Sequence, residues 1–271
     1  MLTNIPEILK SKDILFHYTK MNTAIEKILF EQRLKLFPRA KSIDPLENCS
    51  TIYSVSQFNS IAPENKSKKI IDYLKKYESK IKQLSFCMNN QVFDLNSTFY
   101  PPLEYYGFIK PRMWDQYADK YQGVCLAFDK TKINLTTKIP NIVKYEDYEY
   151  INEIKSISID KNRIDKIGIK KYKKEYFDFF NESLFLKHKD YKDENEFRII
   201  SFKNQNIDYI SIKKSLIAII ISNDYISDYH KKYLINYSKK KNIELIYINW
   251  SFDGIFIETQ KDFDYFTNLL K

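Results

Sequence analysis

Two glutamates stand two residues apart, Glu194 and Glu196, and an arginine follows at Arg198, in the stretch KDYKDENEFRII at 189–200. The run that begins at Glu196 is apolar and strand-like. Alternation along a strand puts residues 194, 196 and 198 on one face, with Asn195 and Phe197 on the other. Two carboxylates and a guanidinium at a strand mouth can hold a sugar hydroxyl. They can also stabilise positive charge at an anomeric carbon, because cleavage of a glycosidic bond passes through an oxocarbenium-like state. Crowding of the two carboxylates tends to raise one pKa, and Arg198 opposes that. The same spacing suits a charged strand with a cross-strand ion pair, and spacing alone does not choose between the two. Asp190 and Asp193 are expected to be solvated.

Two further groups could carry chemistry. His17-Tyr18-Thr19 ends a strand-like run, ILFHYT, just before a helical stretch. A histidine there can donate to a ligand hydroxyl or phosphate, and Thr19 with the following amides can meet an anion near a helix start. Taken alone, the triplet is more simply explained as a buried aromatic strand end with Thr19 as a turn residue. Trp114, Tyr117 and Tyr121 fall at i, i+3 and i+7, one face of a helix. A core stripe accounts for them, with Arg112, Asp115 and Gln116 facing solvent. The three cysteines (Cys49, Cys87, Cys125) lack CxxC spacing, which argues against a disulfide framework or a structural zinc site. His17, His188 and His230 form no metal pair, so a metal enzyme is not expected, although carboxylate-bound magnesium stays open.

The 271 residues, 44% hydrophobic and 16% aromatic, suffice for a sizeable core. No apolar run approaches a membrane span; the longest is LIAIII at 216–221. With no signal-peptide-like segment at the start, a soluble cytoplasmic protein is expected. The formal net charge is +9, yet only five of the 44 basic residues are arginine. Arginine is the stronger reader of phosphates and base edges, so the charge reads as general lysine decoration.

Strands are expected at 14–19, 33–38, 82–88, 124–129, 142–146 and 196–202, the last paired with 207–212. Helices are expected at 22–31, 66–78, 113–121 and 160–188, the last interrupted at Gly168. Thr23 and Glu26 make a capping box, and Gly123 reads as a helix stop. Residues 41–50 read as loop, and 89–112 as a long aromatic flap or lid. After about 214 the pattern is strand–helix–strand (215–222, 226–241, 243–248) with a final helix at 261–270. The fold class is α+β: a single mixed-sheet domain over 1–271, with a core at about 13–213 and a C-terminal strand–helix–strand extension.

RLKLFP, DPLE, LSFC, RMWDQYADKYQGVCLAFD, VKY and FLKHKDYKDENEFRII occur in this order from about 14 to 250. Together they resemble the bacterial domain-of-unknown-function 2971 family. Ile43 departs from the family's NDPxE, and Tyr191 stands near its usual late Trp. More weakly, HYT on a first strand, a middle SF strand and a late E-x-E strand are similar to ADP-ribosyltransferases of the toxin and antiphage kind. That resemblance implies an ADP-ribosyltransferase core with NAD as substrate. It implies that His17 binds NAD, that Ser85 supports it, that Glu196 is the catalytic carboxylate and that Glu194 serves the acceptor. Tyr18, Thr19, Trp114, Tyr117 and Arg198 complete the expected NAD-binding set, with the 89–112 flap closing over it.

The expected function is therefore NAD-dependent ADP-ribosyl transfer to a protein or nucleic acid, as in a toxin or phage-defence effector. A homo-oligomer or a partner within a defence system is compatible with it. Two rivals remain. One is a non-enzymatic nucleic-acid-binding module using the lysine-rich 160–188 segment. The other is a magnesium-dependent nuclease or hydrolase using Asp44, Glu47, Glu194 and Glu196.

Overall fold

The computed structural model describes residues 5–42, 44–48, 52–56, 64–90, 102–203 and 208–262. In chain order the strands are β1 (Ile14–Thr19), β2 (Arg33–Pro38), β3 (Ile52–Ser56), β4 (Lys82–Met88), β5 (Val124–Asp129), β6 (Ile139–Ile142) and β7 (Lys144–Glu146). They continue with β8 (Ser156–Asp160), β9 (Leu186–His188), β10 (Glu196–Ser201), β11 (Asp208–Ser211), β12 (Leu216–Ser222), β13 (Glu244–Ser251) and β14 (Gly254–Thr259). The helices are α1 (Met21–Thr23), α2 (Pro45–Asn48), α3 (Glu64–Glu78), α4 (Pro111–Gln116), α5 (Tyr148–Lys155), α6 (Lys161–Ile167), α7 (Ile169–Ser183) and α8 (Asp228–Lys241). None of them is long and apolar enough to cross a membrane.

Helices and a large mixed sheet make the α+β class expected from the sequence. Along the sheet the order is β11-β2-β4-β1-β5-β12-β13-β14, with β10 on β4 and β6 on β10. Strands β5 (VCLAFD) and β12 (LIAIIIS) are almost continuously apolar because both of their faces are covered. Among the described residues, only β12 and β13 within this sheet run parallel, joined through α8. The C-terminal strand–helix–strand unit continues the main sheet, because β12 pairs antiparallel with β5.

One face of the sheet carries Leu84, Phe86, Phe197 and Ile199 in the core that also holds Ile28 and Leu234. Alternation puts Gln83, Ser85, Cys87, Glu196 and Arg198 on the opposite face. That face lies between a second cluster built on Phe16, Tyr18 and Trp114 and a third built on α3, α6 and α7. Strand β4 is the pivot. Strand β10 covers one edge from Lys82 to Cys87. The other edge is shared, with β2 meeting Gln83 and Lys82 and β1 meeting Met88 and Cys87. The sheet therefore forks at Leu84-Ser85-Phe86.

Several elements differ from the sequence reading. Strand β11 pairs with β2 rather than β10, because Ile210 on β11 can bury beside Leu34 and Leu36. Only α1 and a π-helical stretch, Ala24–Leu29, occupy the expected 22–31 helix, and no side-chain cap forms at Thr23. Strand β14 was not foreseen, and the helix expected at 261–270 falls almost wholly outside the described residues. The part of the 89–112 flap at 91–101 also lies outside them. Its described remainder packs Tyr105, Tyr106 and Phe108 into the core. Cys87 and Cys125 are buried free thiols, while Cys49 is outside the described residues.

Helix α4 ends at Gln116, and the left-handed turn after it uses Asp119, Lys120 and Tyr121. Gly123 is therefore not the stop residue. A Cβ there would sit 2.3 Å from the Thr19 carbonyl oxygen and 2.8 Å from that of Ala118. Both are backbone atoms that cannot swing aside, so Gly123 lets the 117–123 turn close on the end of β1. Gly123→Ala is expected to lower stability by about 1–3 kcal/mol in urea unfolding monitored by circular dichroism.

Candidate active site

A cavity of about 790 Å³ opens at the fork. Its deep wall comes from Glu47, Gln83, Ser85, Tyr117, Lys187, Glu194 and Glu196, and its other wall includes His17, Ile28, Leu34 and Phe86.

The acidic end is built around Arg198, which is fully buried. Its Nε donates to Glu196 Oε1 at 2.7 Å and its Nη2 to Glu196 Oε2 at 3.0 Å. The same Nη2 donates to Glu47, and Nη1 donates to the Leu184 carbonyl at 2.7 Å. Lys187 enters from β9, with Nζ 2.6 Å from Glu194 Oε2 and 3.5 Å from Glu196 Oε2. Glu47 also accepts from Ser42 at 2.6 Å and from Gln83 at 2.8 Å. Such pairing is obligatory, since an unpaired buried charge costs several kcal/mol.

Glu194 and Glu196 do converge, though not by strand alternation. Glu194 ends a 3₁₀ turn, Lys189–Glu194, and Asn195 takes a left-handed conformation with φ 44° before β10 begins. The Asn195 amide holds that turn by donating to the carbonyls of Met88 at 3.1 Å and Asn89 at 2.8 Å. The Glu196 N–H donates to the Tyr145 hydroxyl at 2.8 Å.

The pKa values of the two carboxyls move in opposite directions. Burial raises the pKa of Glu196, but Arg198 and then Lys187 outweigh it, and the net shift is downward. Glu47 behaves alike: burial opposes its charge, and Arg198 and Arg39 hold its pKa far below the usual range. For Glu194 burial wins over Lys187 and the pKa goes up. Its Oε1 is buried without a hydrogen-bond donor. Arg112 Nη2 forms an ion pair with that oxygen at 3.3 Å without donating a hydrogen bond to it; its hydrogen bonds go to Asp193, to which Nε donates at 3.0 Å and Nη2 also bonds. A second cavity-lining oxygen, Asp44 Oδ2, is likewise buried without a donor. Tyr117, pushed up to about 12 by burial and by Glu194, keeps its phenol proton.

His17 stands at the fork. Its Nδ1 meets the Ser85 carbonyl at 3.1 Å, an acceptor on the stretch of β4 that neither β1 nor β2 covers. Burial lowers the imidazole pKa and the Ser85 carbonyl opposes that. A neutral ring donating from Nδ1 leaves Nε2 as an acceptor.

Of the expected site residues, His17, Tyr18, Ser85, Tyr117, Glu194 and Glu196 line the cavity. The Tyr18 hydroxyl is already committed to the Gly107 carbonyl at 2.9 Å. Three residues stand apart from the wall. Thr19 is buried and pairs with Val124. Trp114 is fully buried, its indole N–H donating to the Phe108 carbonyl at 2.9 Å. Arg198 acts behind the wall through Glu47 and Glu196. Ser85 supports His17 with its carbonyl, a role its side chain does not advertise. Asp193 and Arg112, expected in solvent, pair with each other.

Lys187 was not singled out in the sequence, because one buried lysine is indistinguishable among 39. Arg112, one of only five arginines, carried a usable signal. Residues 113–199 match the model of the family described as Protein of unknown function (DUF2971), about a third of the chain. The matched stretch holds Tyr117, Lys187, Glu194, Glu196 and Arg198, so the chain is similar to that family where the acidic end of the cavity is built. No curated protein and no solved structure matches.

Replacing Arg198 with methionine takes from Glu47 and Glu196 their shared buried counter-charge, leaving Lys187 at 3.5 Å from Glu196 and the neutral donors Ser42 and Gln83 on Glu47. The expected loss is about 3–5 kcal/mol in urea unfolding at neutral pH. The wild-type contribution of Glu47 and Glu196 is full above about pH 4.3 and is lost as the pH falls through their lowered folded values. Glu194 has the opposite sign, costing stability as the pH rises through its raised value. Arg198→Met should accordingly flatten the acid limb of a stability–pH profile, and an unchanged limb would refute this account.

Proposed function

We propose that the chain is an enzyme that transfers ADP-ribose from NAD to an acceptor. The observation that carries this reading is the convergence of His17, Ser85, Tyr117, Glu194 and Glu196 on one cavity at the fork of the sheet. Its volume lies within the range of small-molecule sites. In this reading the bond between ribose C1′ and the nicotinamide nitrogen breaks, and its electron pair leaves with nicotinamide. The acceptor's nucleophile bonds to C1′ and gives its proton to Glu194.

The residue states favour Glu194 over Glu196 as the carboxylate that meets the reacting centre. Glu196 spends both oxygens on Arg198, so it positions Lys187 and, through it, Glu194. Glu194 retains a buried oxygen without a donor, and its raised pKa suits a base that must also release its proton. His17 Nε2 offers an acceptor for a ligand N–H or hydroxyl.

The magnesium reading is less well supported. Glu47, Glu194 and Glu196 already have Lys187 and Arg198 as counter-charges, which a dication would have to displace. Among the described residues no cluster of His, Cys, Asp or Glu is arranged to hold a metal ion. In the lysine-rich 160–188 segment, Ile164, Tyr172, Tyr176 and Phe180 face the core, so the exposed Lys166, Lys170, Lys171 and Lys174 read as the solvated side of amphipathic helices, while Lys161 and Lys187 are buried.

Calorimetric titration with NAD should give saturable binding, and absence of heat at millimolar NAD would overturn the proposal. Glu194→Gln should lower the rate of labelled-NAD consumption by about 100-fold or more. It should also remove a rising pH limb that lies above the ordinary glutamate range, because the base must be ionised. Retention of that limb in the variant would exclude Glu194 as the base.

A further inference from the structure

The mouth of the cavity has a chemistry of its own. Antiparallel pairing sets Tyr209 opposite Lys35 and Ser211 opposite Arg33, so these residues share the outward face of β2 and β11. Leu34, Leu36 and Ile210 take the inward face. Arg33, Lys35 and Phe37 follow one another at every second position, about 7 Å apart, a step close to that of an extended nucleotide chain. The Arg33 guanidinium lies 3.8 Å from the centroid of the Tyr209 ring. Phe37 is 49% exposed although its neighbours in the strand bury their apolar side chains. Lys27 and Lys41 join from the segments on either side, and all six side chains line the cavity. One acidic residue beside them, Glu31, is spent on Arg33 at 2.7 Å.

We propose that this face binds single-stranded nucleic acid, with one unstacked nucleotide presented to the cavity as the acceptor; this rests on the transferase reading above. Cations set beside the exposed Phe37 ring, and beside the half-buried Tyr209 ring with Arg33 on one face, suit a backbone of phosphates carrying bases free to stack. A duplex keeps its bases stacked and could not engage Phe37 or Tyr209, nor pass a nucleotide inward without flipping it. General lysine decoration does not explain the patch, since the chain carries 35 acidic residues against 44 basic ones, whereas four cations here stand beside two acids, Glu31 and Asp44, and Glu31 is already paired with Arg33. An acidic protein surface would satisfy the cations but leave the exposed Phe37 ring without a role.

The test is fluorescence anisotropy with labelled single-stranded RNA and DNA of about a dozen nucleotides, and with the matching duplexes, across a salt series. Single strands should bind more tightly than duplex. The slope of log K against log salt should be about −2 if Lys27, Lys35 and Lys41 each release counterions. Lys35→Gln should reduce that slope by about 0.7. Phe37→Ala should weaken binding by about fivefold or more while leaving the slope unchanged. Both side chains are exposed, and thermal melts should match wild type. Equal binding of duplex, no response to either substitution, or label from NAD appearing on protein rather than on the oligonucleotide would overturn the proposal. Single-strand binding with these signatures but no NAD binding would keep the surface and remove the transferase reading. NAD binding without oligonucleotide binding would do the reverse.

Discussion

Arg198 is the interaction on which the site depends. One fully buried guanidinium bonds both oxygens of Glu196 on its own strand, Glu47 in α2 and the carbonyl of Leu184 before β9. The distant α2, the Leu184 turn and β10 itself are thereby tied to one planar fork of donors. Lysine could not replace it, because a point charge lacks the bidentate geometry. The desolvation of so many charges is tolerable only because each has a partner, and this makes the network rigid as well as costly to break.

That network divides labour between two glutamates that look equivalent on paper. Glu196 is held down by Arg198 and Lys187, whereas Glu194, beyond the left-handed Asn195, keeps one oxygen unbonded inside the wall. For Glu194 burial outweighs Lys187 and raises the pKa, whereas for Glu196 the Arg198 guanidinium and Lys187 outweigh burial and lower it. The fork of the sheet serves the same end. Where β1 and β2 diverge along β4, an uncovered carbonyl at Ser85 fixes the His17 ring, and the gap becomes the cavity. The apolar clusters on the two faces keep this polar seam between them.

Much of the frame was legible. Strands β1, β2, β4 and β5 coincide with the runs read from alternation and apolar content, and α6 and α7 break at Gly168 as expected. Glu196 and Arg198 share a face, as strand periodicity requires. Short polar or mixed strands escaped: β3 and β8 pair with each other, and IPNI in β6 gains its place only by lying against β10. The aromatic stripe was misread in part, because α4 stops at Gln116 and Tyr121 returns to stack on Trp114 through a left-handed turn.

By itself the sequence determined which apolar segments could be strands or helices, that Glu196 and Arg198 would share a strand face, and that His17 would lie near the end of the first strand. These follow from local periodicity and hydrophobicity, which act over a few residues. Only the tertiary structure decided that Glu47 and Lys187 join the acidic cluster, that Trp114 and Thr19 stand away from the cavity, and that Ser85 acts through its backbone. Those outcomes depend on strand order and burial. A carboxylate's state is set by the charges and solvent brought to it across the fold, not by its neighbours in the chain.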